Sequence, residues 1–301
     1  MKVFAAAISK SKGEKVPISV VLSVDTESKF SNTVQLQEDS YPLHFYAGAV
    51  KLLDDLKELG INAVFFVNYP EVQIFRNHQN SPVVLLKRIA SEKHQIGLHI
   101  HPAQINPEKS PDLSFYSSER IGEMVREGKK VLEDAAGCEI VAFRAGGYSI
   151  GRWEAIYEQL LQIGIKIDSS VFPGASNLHL AKFDFTKATI IDRCYYPKSN
   201  DVLTECESGP IKEYPITTVL PVSNSSDAFF FSFNPSIIMS KWLLRLYYFS
   251  LIKKNPNAII NILYHSKHVF DESGKLRSDY SNLLNFIRFL LSKSAKFKTY
   301  E

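Results

Sequence analysis

The sequence predicts an α/β fold in which parallel strands alternate with helices and form one sheet, open or closed into a barrel. Two observations predict it: short apolar runs rich in Val, Ile and Phe recur along the chain, and segments with helical spacing of apolar residues lie between them. Such alternation requires crossover helices between parallel strands. The length of 301 residues, of which 45% are hydrophobic, is enough for the large core of one barrel domain.

Several segments have the composition of buried strands, and most of them end in polar or glycine residues. They are residues 18–25, 61–68, 95–101, 139–145, 165–170 and 258–265. Residues 171–235 form an irregular excursion with frequent Pro, Ser and Asn, in which 211–219 is the best strand candidate. The excursion is expected to cross one end of the sheet.

The predicted helices show apolar residues at helical spacing and recognisable ends. They are residues 47–60, 81–94, 117–137, 152–164, 236–254 and 278–293. Gly60 is a C-terminal stop, whereas Ser81 and Pro82 are an N-cap and a first helical residue. In 236–254, Lys241 and Arg245 interrupt the apolar window 237–252, which is too short and too charged to span a bilayer, so this segment predicts a helix of the barrel's outer ring or a membrane-surface helix.

Composition excludes some classes of function. A net charge of +3 is too small to indicate a nucleic-acid partner. The three cysteines form no CxxC pair, which argues against a disulfide framework and favours a reducing compartment. The N-terminal residues lack the pattern of a signal peptide. We therefore expect a cytoplasmic protein without a transmembrane segment, and the sequence does not indicate its oligomeric state.

Polar residues gather where the predicted strands end. Each has an ordinary explanation when taken alone, such as a cap, a core histidine or a structural ion pair. The carboxyl ends of parallel strands share one face, however, so together these residues predict a site. They are Asp25, Glu27, His99, His101, Arg144, Gly146, Gly147, Asp168 and His265.

Five stretches resemble, in the same order, the motifs of the polysaccharide deacetylase superfamily, also called the NodB-homology or carbohydrate esterase family 4 proteins. They are "LSVDTE" (22–27), "HQIGLHIHP" (94–102), "FRAGG" (143–147), "DSS" (168–170) and "ILYHS" (262–266). The resemblance covers residues 18–270 and implies one catalytic domain over 1–301 with a C-terminal helix. It also implies a distorted (β/α) barrel of about seven parallel strands, one divalent metal ion, and hydrolysis of an N-acetyl group or a related amide.

The resemblance assigns a role to most of these polar residues. It implies that Asp25 is the general base, Arg144 orients it, and His265 is the general acid that Asp168 tunes. It implies that Glu27 and His99 are metal ligands. Amide hydrolysis further needs an oxyanion site, for which the backbone N–H groups of Gly147 or Tyr148 are candidates.

The sequence departs from the family pattern at the second metal histidine, which normally lies four residues after the first. Ala103 occupies that position, and His101 is the obvious substitute. Side chains at i and i+2 of a strand point to the same face, about 6–7 Å apart, so two imidazoles can reach one ion. We expect Zn²⁺, with Co²⁺, Ni²⁺ or Mn²⁺ as alternatives. Glu27 also departs from the pattern, because adjacent aspartates are commoner there.

These observations favour a metal-dependent deacetylase that acts on an N-acetylated sugar or glycan precursor, in carbohydrate metabolism and glycan biosynthesis. Two alternatives stay open. A hydrolase of cyclic amides or ureides could use the same scaffold, and the departure at Ala103 allows a catalytically silent glycan-binding protein.

Overall fold

The computed structural model describes residues 18–30, 36–105, 113–177, 183–219, 231–232 and 241–301. Its main sheet contains β1 (Ser19–Thr26), β2 (Val64–Asn68), β3 (Gln95–Ile100), β4 (Ala142–Ala145), β5 (Ile167–Asp168), β6 (Lys212–Glu213), β7 (Ile259–His265) and β8 (Lys296–Phe297). Seven strands lie in the order β6-β5-β4-β3-β2-β1-β7, all parallel, and β8 pairs with the start of β1. The predicted barrel of about seven parallel strands is confirmed.

The helices cover the outside of this sheet. They are α1 (Gly48–Leu59), α2 (Tyr69–Ile74), α3 (Pro82–Ser91), α4 (Pro102–Ile105), α5 (Ser118–Ala136), α6 (Trp153–Gln162), α7 (Lys241–Lys254) and α8 (Ser278–Ser292). A π-helical segment, Tyr41–Ala47, leads into α1, and 3₁₀ turns occur at Glu38–Ser40, Leu113–Phe115, Gly146–Tyr148 and Ser266–His268. Gly60 ends α1 in the left-handed conformation at φ 66°, as the sequence predicts. Among the described residues, no helix is both long and apolar enough to cross a membrane.

Residues just after β6 bring the two edges of the sheet together. The Thr217 backbone N–H donates to the Asn261 carbonyl of β7 at 3.1 Å, and the Asn261 N–H donates to Thr217 Oγ1 at 2.8 Å. These bonds connect the β6 side of the sheet to β7 without a regular ladder. The result is a closed but distorted barrel.

Alternation along the strands separates two apolar cores. One packs between sheet and helices, with Val20, Leu22 and Val24 of β1. The other lies inside the barrel; its buried members are Val21, Val64, Phe66, Ala142, Ile167, Tyr214 and Tyr300. Because inward positions recur every second residue, Ser23 and Asp25 follow Val21 on the inner face of β1.

The excursion between β5 and β7 forms short hairpins in its described parts. Their strands are Ser176–Asn177 with Phe183–Asp184, Tyr196–Lys198 with Asp201–Cys206, and Thr218–Val219 with Phe231–Ser232. The candidate strand 211–219 is two short strands, because residues 214–217 turn across to reach β7. The first residues of the predicted helix 236–254, up to residue 240, lie outside the described residues.

Candidate metal centre and active site

Three predicted metal ligands converge at the carboxyl ends of β1 and β3. His101 Nε2 lies 2.7 Å and His99 Nε2 lies 3.3 Å from Glu27 Oε2, and the two imidazole nitrogens are 3.1 Å apart. Among the described residues, this is the one group of three or more His, Cys, Asp and Glu side chains whose ligand atoms all lie within 4.8 Å. All three residues are buried.

The donor set fits a divalent transition metal ion. Tetrahedral bonds of about 2.0–2.1 Å place neighbouring ligand atoms about 3.3 Å apart, close to the spacing of these three atoms. His99 Nδ1 donates to the Arg144 carbonyl at 2.9 Å, since a carbonyl only accepts. In the neutral imidazole Nε2 then carries the lone pair on the side of Glu27 and His101, as a ligating histidine requires.

Asp25 lies beside this group and is held by Arg144. Arg144 Nη1 donates to Asp25 Oδ1 at 2.6 Å, and both side chains are almost completely buried. The guanidinium also lies 4.2 Å from the centroid of the Phe66 ring. Arg144 thus holds one oxygen of Asp25. The other oxygen, Oδ2, faces His265 Nε2 at 3.6 Å.

Opposing effects set the charge of the two carboxylates. Burial alone would raise the pKa of Asp25, but the Arg144 guanidinium, with His99 and His265, lowers it below its ordinary value. Burial would likewise raise the pKa of Glu27, but Lys267 and His101 hold it well below the usual range. Both carboxylates are therefore ionised at neutral pH, as a base and a metal ligand must be.

Lys267 is a member of the site that the sequence did not single out. Its Nζ lies 2.5 Å from Glu27 Oε1 and 4.8 Å from the centroid of the Phe30 ring. The Lys267 ammonium group binds Oε1 of Glu27. The other oxygen, Oε2, faces both histidines. The signal in the sequence is its position two residues after His265.

His265 lies at the rim of the same site, 3.8 Å from Glu27 Oε1 through its Nε2. Burial lowers the pKa of His265 to about 4. The Asp25 charge opposes this shift, whereas the Lys267 charge adds to it. His265 Nδ1 has no hydrogen-bond partner within the described parts of the chain.

Asp168, the expected partner of His265, contacts other groups. Ser170 Oγ donates to Asp168 Oδ1 at 2.6 Å, and the Asp168 side chain hydrogen-bonds that of Glu213 on the neighbouring strand β6. No hydrogen bond or ion pair joins Asp168 to His265 among the residues that the structure describes. The structure therefore brings together Asp25, Arg144 and His265, with Asp168 outside that group.

The loop after β4 carries the two candidate oxyanion residues. Gly147 has φ 58° and Tyr148 has φ 60°, a left-handed conformation that is strained for tyrosine. The Tyr148 ring packs edge-on against Phe172 and Phe183, with centroids 5.2 and 5.9 Å apart. Burial and the Asp25 charge raise the pKa of Tyr148 well above its usual range.

A further buried carboxylate supports the loop after β1. Both oxygens of Glu71 accept from the Ser28 backbone N–H at 3.1 Å, and Asn68 Nδ2 donates to Oε1 at 2.8 Å. Ser28 directly follows Glu27, so Glu71 fixes the backbone next to the metal carboxylate. Burial raises the pKa of Glu71 to about 7, although the bonds from Ser28 and Asn68 oppose this.

Comparison with solved structures finds the same barrel in other proteins. One match is a protein from Mycobacterium smegmatis assigned by name to the polysaccharide deacetylases, with a TM-score of 0.56 and 14% identity over 97% of this chain and 96% of that one. Another is Puue allantoinase, with a TM-score of 0.61 and 13% identity over 96% of this chain and 89% of that one. No protein-family model matches the sequence, and no curated protein matches it. At these identities the likeness shows the fold alone.

Proposed function

We propose that this protein is a metal-dependent hydrolase that removes the N-acetyl group from an acetylated sugar or glycan precursor. The proposal rests on the convergence of Glu27, His99 and His101. Asp25 lies beside them and is held by an ion pair with Arg144. A carboxylate base next to a two-imidazole, one-carboxylate ligand set is what hydrolysis of an unreactive amide needs.

Glu27, His99 and His101 would hold the metal ion, and Zn²⁺ suits two imidazoles and a carboxylate. When bound, the ion would polarise the substrate carbonyl and lower the pKa of a water molecule toward about 7. Lys267 keeps Glu27 ionised and leaves Oε2 facing the two histidines.

Asp25 would act as the general base. Oδ1 is occupied by Arg144 at 2.6 Å, so Oδ2 is the oxygen available to accept a proton. A buried guanidinium at this distance keeps Asp25 ionised and stops its carboxylate from rotating.

His265 would pass to the leaving nitrogen the proton that Asp25 takes from the water, because its Nε2 lies 3.6 Å from Asp25 Oδ2 and its pKa of about 4 leaves the imidazole neutral at rest. The backbone N–H groups of Gly147 and Tyr148 would bind the oxyanion, since the left-handed turn fixes their direction. In this scheme Asp168 acts only indirectly, through β5 and the Ser169 contacts with Arg144.

A second candidate is hydrolysis of a cyclic amide or ureide, which needs the same base and the same carbonyl activation. The solved structure of Puue allantoinase, whose name indicates allantoin, has this barrel with a TM-score of 0.61. In such a substrate the scissile amide is part of the ring, whereas in an N-acetylated sugar it is a substituent of the ring. The two candidates therefore need a direct comparison of substrates.

The test uses the protein loaded with Zn²⁺. Acetate release from N-acetylglucosamine oligosaccharides and from nucleotide-linked N-acetylhexosamines is measured beside the hydrolysis of allantoin. Asp25→Asn should retain zinc and lose about 10²- to 10⁴-fold in kcat, the range for a general base. Asp134→Asn, at an exposed carboxylate of α5, is the matched control and should behave like the wild type.

Three outcomes separate the hypotheses. Acetate release that depends on Asp25 supports the proposal, and ring opening of allantoin without acetate release supports the second candidate. A protein that binds no Zn²⁺, Co²⁺, Ni²⁺ or Mn²⁺ and still binds N-acetylated sugars would be the catalytically silent binding protein instead.

A further inference from the structure

The segment that follows α8 crosses the end of the barrel opposite the metal site. β8 pairs with Ser19 and Val20 at the start of β1, and the Tyr300 N–H donates to Gln95 Oε1 at the start of β3, at 2.9 Å. Tyr214 Oη, next to β6, donates to the Glu301 carbonyl at 2.9 Å. The segment 296–301 is thus fastened to the starts of β1 and β3 and to Tyr214, the residue that follows β6.

This path inserts the Tyr300 side chain into the barrel. The residue is 5% exposed and belongs to the inner apolar core. Its ring centroid lies 4.5 Å from that of Tyr214 and 6.0 Å from that of Phe66, the ring that also supports the Arg144 guanidinium. The phenol therefore points from the end of the barrel opposite the metal site toward a polar layer, the buried polar side chains around Arg144.

That polar layer is a connected hydrogen-bond network. Arg144 Nη2 donates to Ser23 Oγ at 2.9 Å and to Ser169 Oγ at 2.8 Å. Ser23 Oγ donates to Asn261 Oδ1 at 2.9 Å. Tyr300 Oη completes the ring, at 3.0 Å from Ser169 Oγ, 3.3 Å from Asn261 Oδ1 and 3.5 Å from Arg144 Nη2.

We propose that Tyr300 is a positioning residue of the active site, which acts on the base Asp25 through Arg144. This inference rests on the proposed function. Nη2 of Arg144 is held by Ser23 and Ser169, while Nη1 of the same rigid guanidinium plane holds Asp25. The Tyr300 phenol holds the serine hydroxyl groups that accept from Arg144, so it fixes the plane of the guanidinium. That plane in turn fixes the carboxylate of Asp25.

The arginine also couples this network to the metal centre, because its carbonyl accepts the hydrogen bond from His99 Nδ1. That contact runs through the backbone of β4, which the barrel holds in register with β3. Loss of the Tyr300 hydroxyl should consequently disturb the orientation of Asp25 much more than the positions of the three metal ligands. We expect turnover to fall while zinc affinity stays constant.

The test is Tyr300→Phe, which keeps the ring and removes one oxygen. On the substrate established for the wild type, kcat should fall about 10-fold, since small misplacements of a reacting group are costly. KM and zinc affinity should be unchanged. Tyr41→Phe is the matched control, because Tyr41 is equally buried and its hydroxyl donates to the Asn80 carbonyl at 2.8 Å, outside the barrel.

A second readout does not depend on catalysis. The side-chain N–H signals of Arg144 are assigned by their loss in Arg144→Lys, and a guanidinium held at both nitrogens should give separate, slowly exchanging Nη signals. Tyr300→Phe should broaden or merge them, and Tyr41→Phe should leave them as they are. If Tyr300→Phe does not fold, Tyr214→Phe, which loosens the anchor at Glu301, should give a smaller change of the same kind.

Unchanged kcat in Tyr300→Phe, or a loss of kcat equal to that in Tyr41→Phe, would overturn the proposal whatever the Arg144 signals show. If the wild type hydrolyses no amide at all, the proposed function fails, and the Arg144 signals alone decide whether Tyr300 positions the guanidinium.

Discussion

Gly146 decides how closely β4 can approach the second histidine of the site. A Cβ atom on this glycine would lie 2.4 Å from the Ile100 carbonyl oxygen and 2.7 Å from His101 Cγ and Nδ1. The Ile100 backbone cannot shift to relieve so close a contact, whereas a flexible side chain could. The "AGG" sequence after Arg144 therefore supports the metal centre at its first glycine and the left-handed turn at its second.

We expect Gly146→Ala to displace the His101 ring. Overpacking of this kind costs about 1–3 kcal/mol of stability, and a misplaced ligand weakens metal binding about 10- to 100-fold. Zinc affinity is measured by competition with a chromophoric chelator. Gly209→Ala is the control, because the nearest atom to its Cβ would be Tyr196 Cβ at an ordinary 3.4 Å. Equal affinity in the two variants would contradict a role for Gly146 in placing His101.

At the scale of single residues, strand periodicity predicted which side chains could meet. Asp25, His99 and Arg144 lie at inward positions near the ends of β1, β3 and β4 in one parallel sheet, and their convergence follows from the pleat. Lys267 and Tyr300 could not be predicted in this way. Their contacts with Glu27 and Arg144 span 240 and 156 residues, and no local pattern specifies such pairs.

At the scale of elements, the long strands were predictable because they are buried on both faces and read as continuous apolar runs. The short ones were not. β5 keeps only Ile167 and Asp168 in regular pairing, since the chain turns at Ser169 to reach Arg144. β8 has a mixed sequence, "KF", and becomes a strand only because the start of β1 offers a free edge.

The pairing of β5 with β6 places two carboxyl groups side by side. Asp168 and Glu213 are register partners and both are fully buried. Asp168 Oδ2 and Glu213 Oε2 have no other donor within the described residues, so one proton between them satisfies both. Burial and the Asp168 charge raise the pKa of Glu213 well above its usual range.

This pair predicts a loss of stability as the pH rises above the ordinary range of a carboxyl group. The folded pKa of Glu213 lies above the unfolded one, so the folded state holds an extra proton between the two values, and stability falls as pH rises through the folded pKa. Glu213→Gln replaces the proton by an amide donor and should flatten this fall in thermal unfolding measured upward from about pH 4. Exposed Glu205→Gln is the control. Parallel profiles for wild type and Glu213→Gln would show that the pair is not protonated.

At the scale of the whole molecule, the barrel interior is layered along its axis. Apolar side chains, including Val21, Val64 and the Tyr300 ring, fill the amino-terminal end. The Arg144 network occupies the middle, and the carboxylates and imidazoles lie at the carboxyl end. Charged groups can be buried there because each is paired, and the low dielectric then strengthens every pair.

A metal ion at the candidate site would bind the folded chain alone. Glu27 follows β1, His99 lies in β3 and His101 follows β3, and the three meet only in the folded chain, so an ion that binds them would stabilise the folded state. Zn²⁺ at 100 times its dissociation constant should add about 2.7 kcal/mol, or roughly 4 °C in Tm for a chain of this length, and a chelator should remove it. His101→Ala should abolish the increment, whereas His78→Ala, at a histidine outside the ligand group, should keep it. A full increment in His101→Ala would exclude it as the replacement for the histidine missing at Ala103, and the ion would then be held by Glu27 and His99 with some other donor.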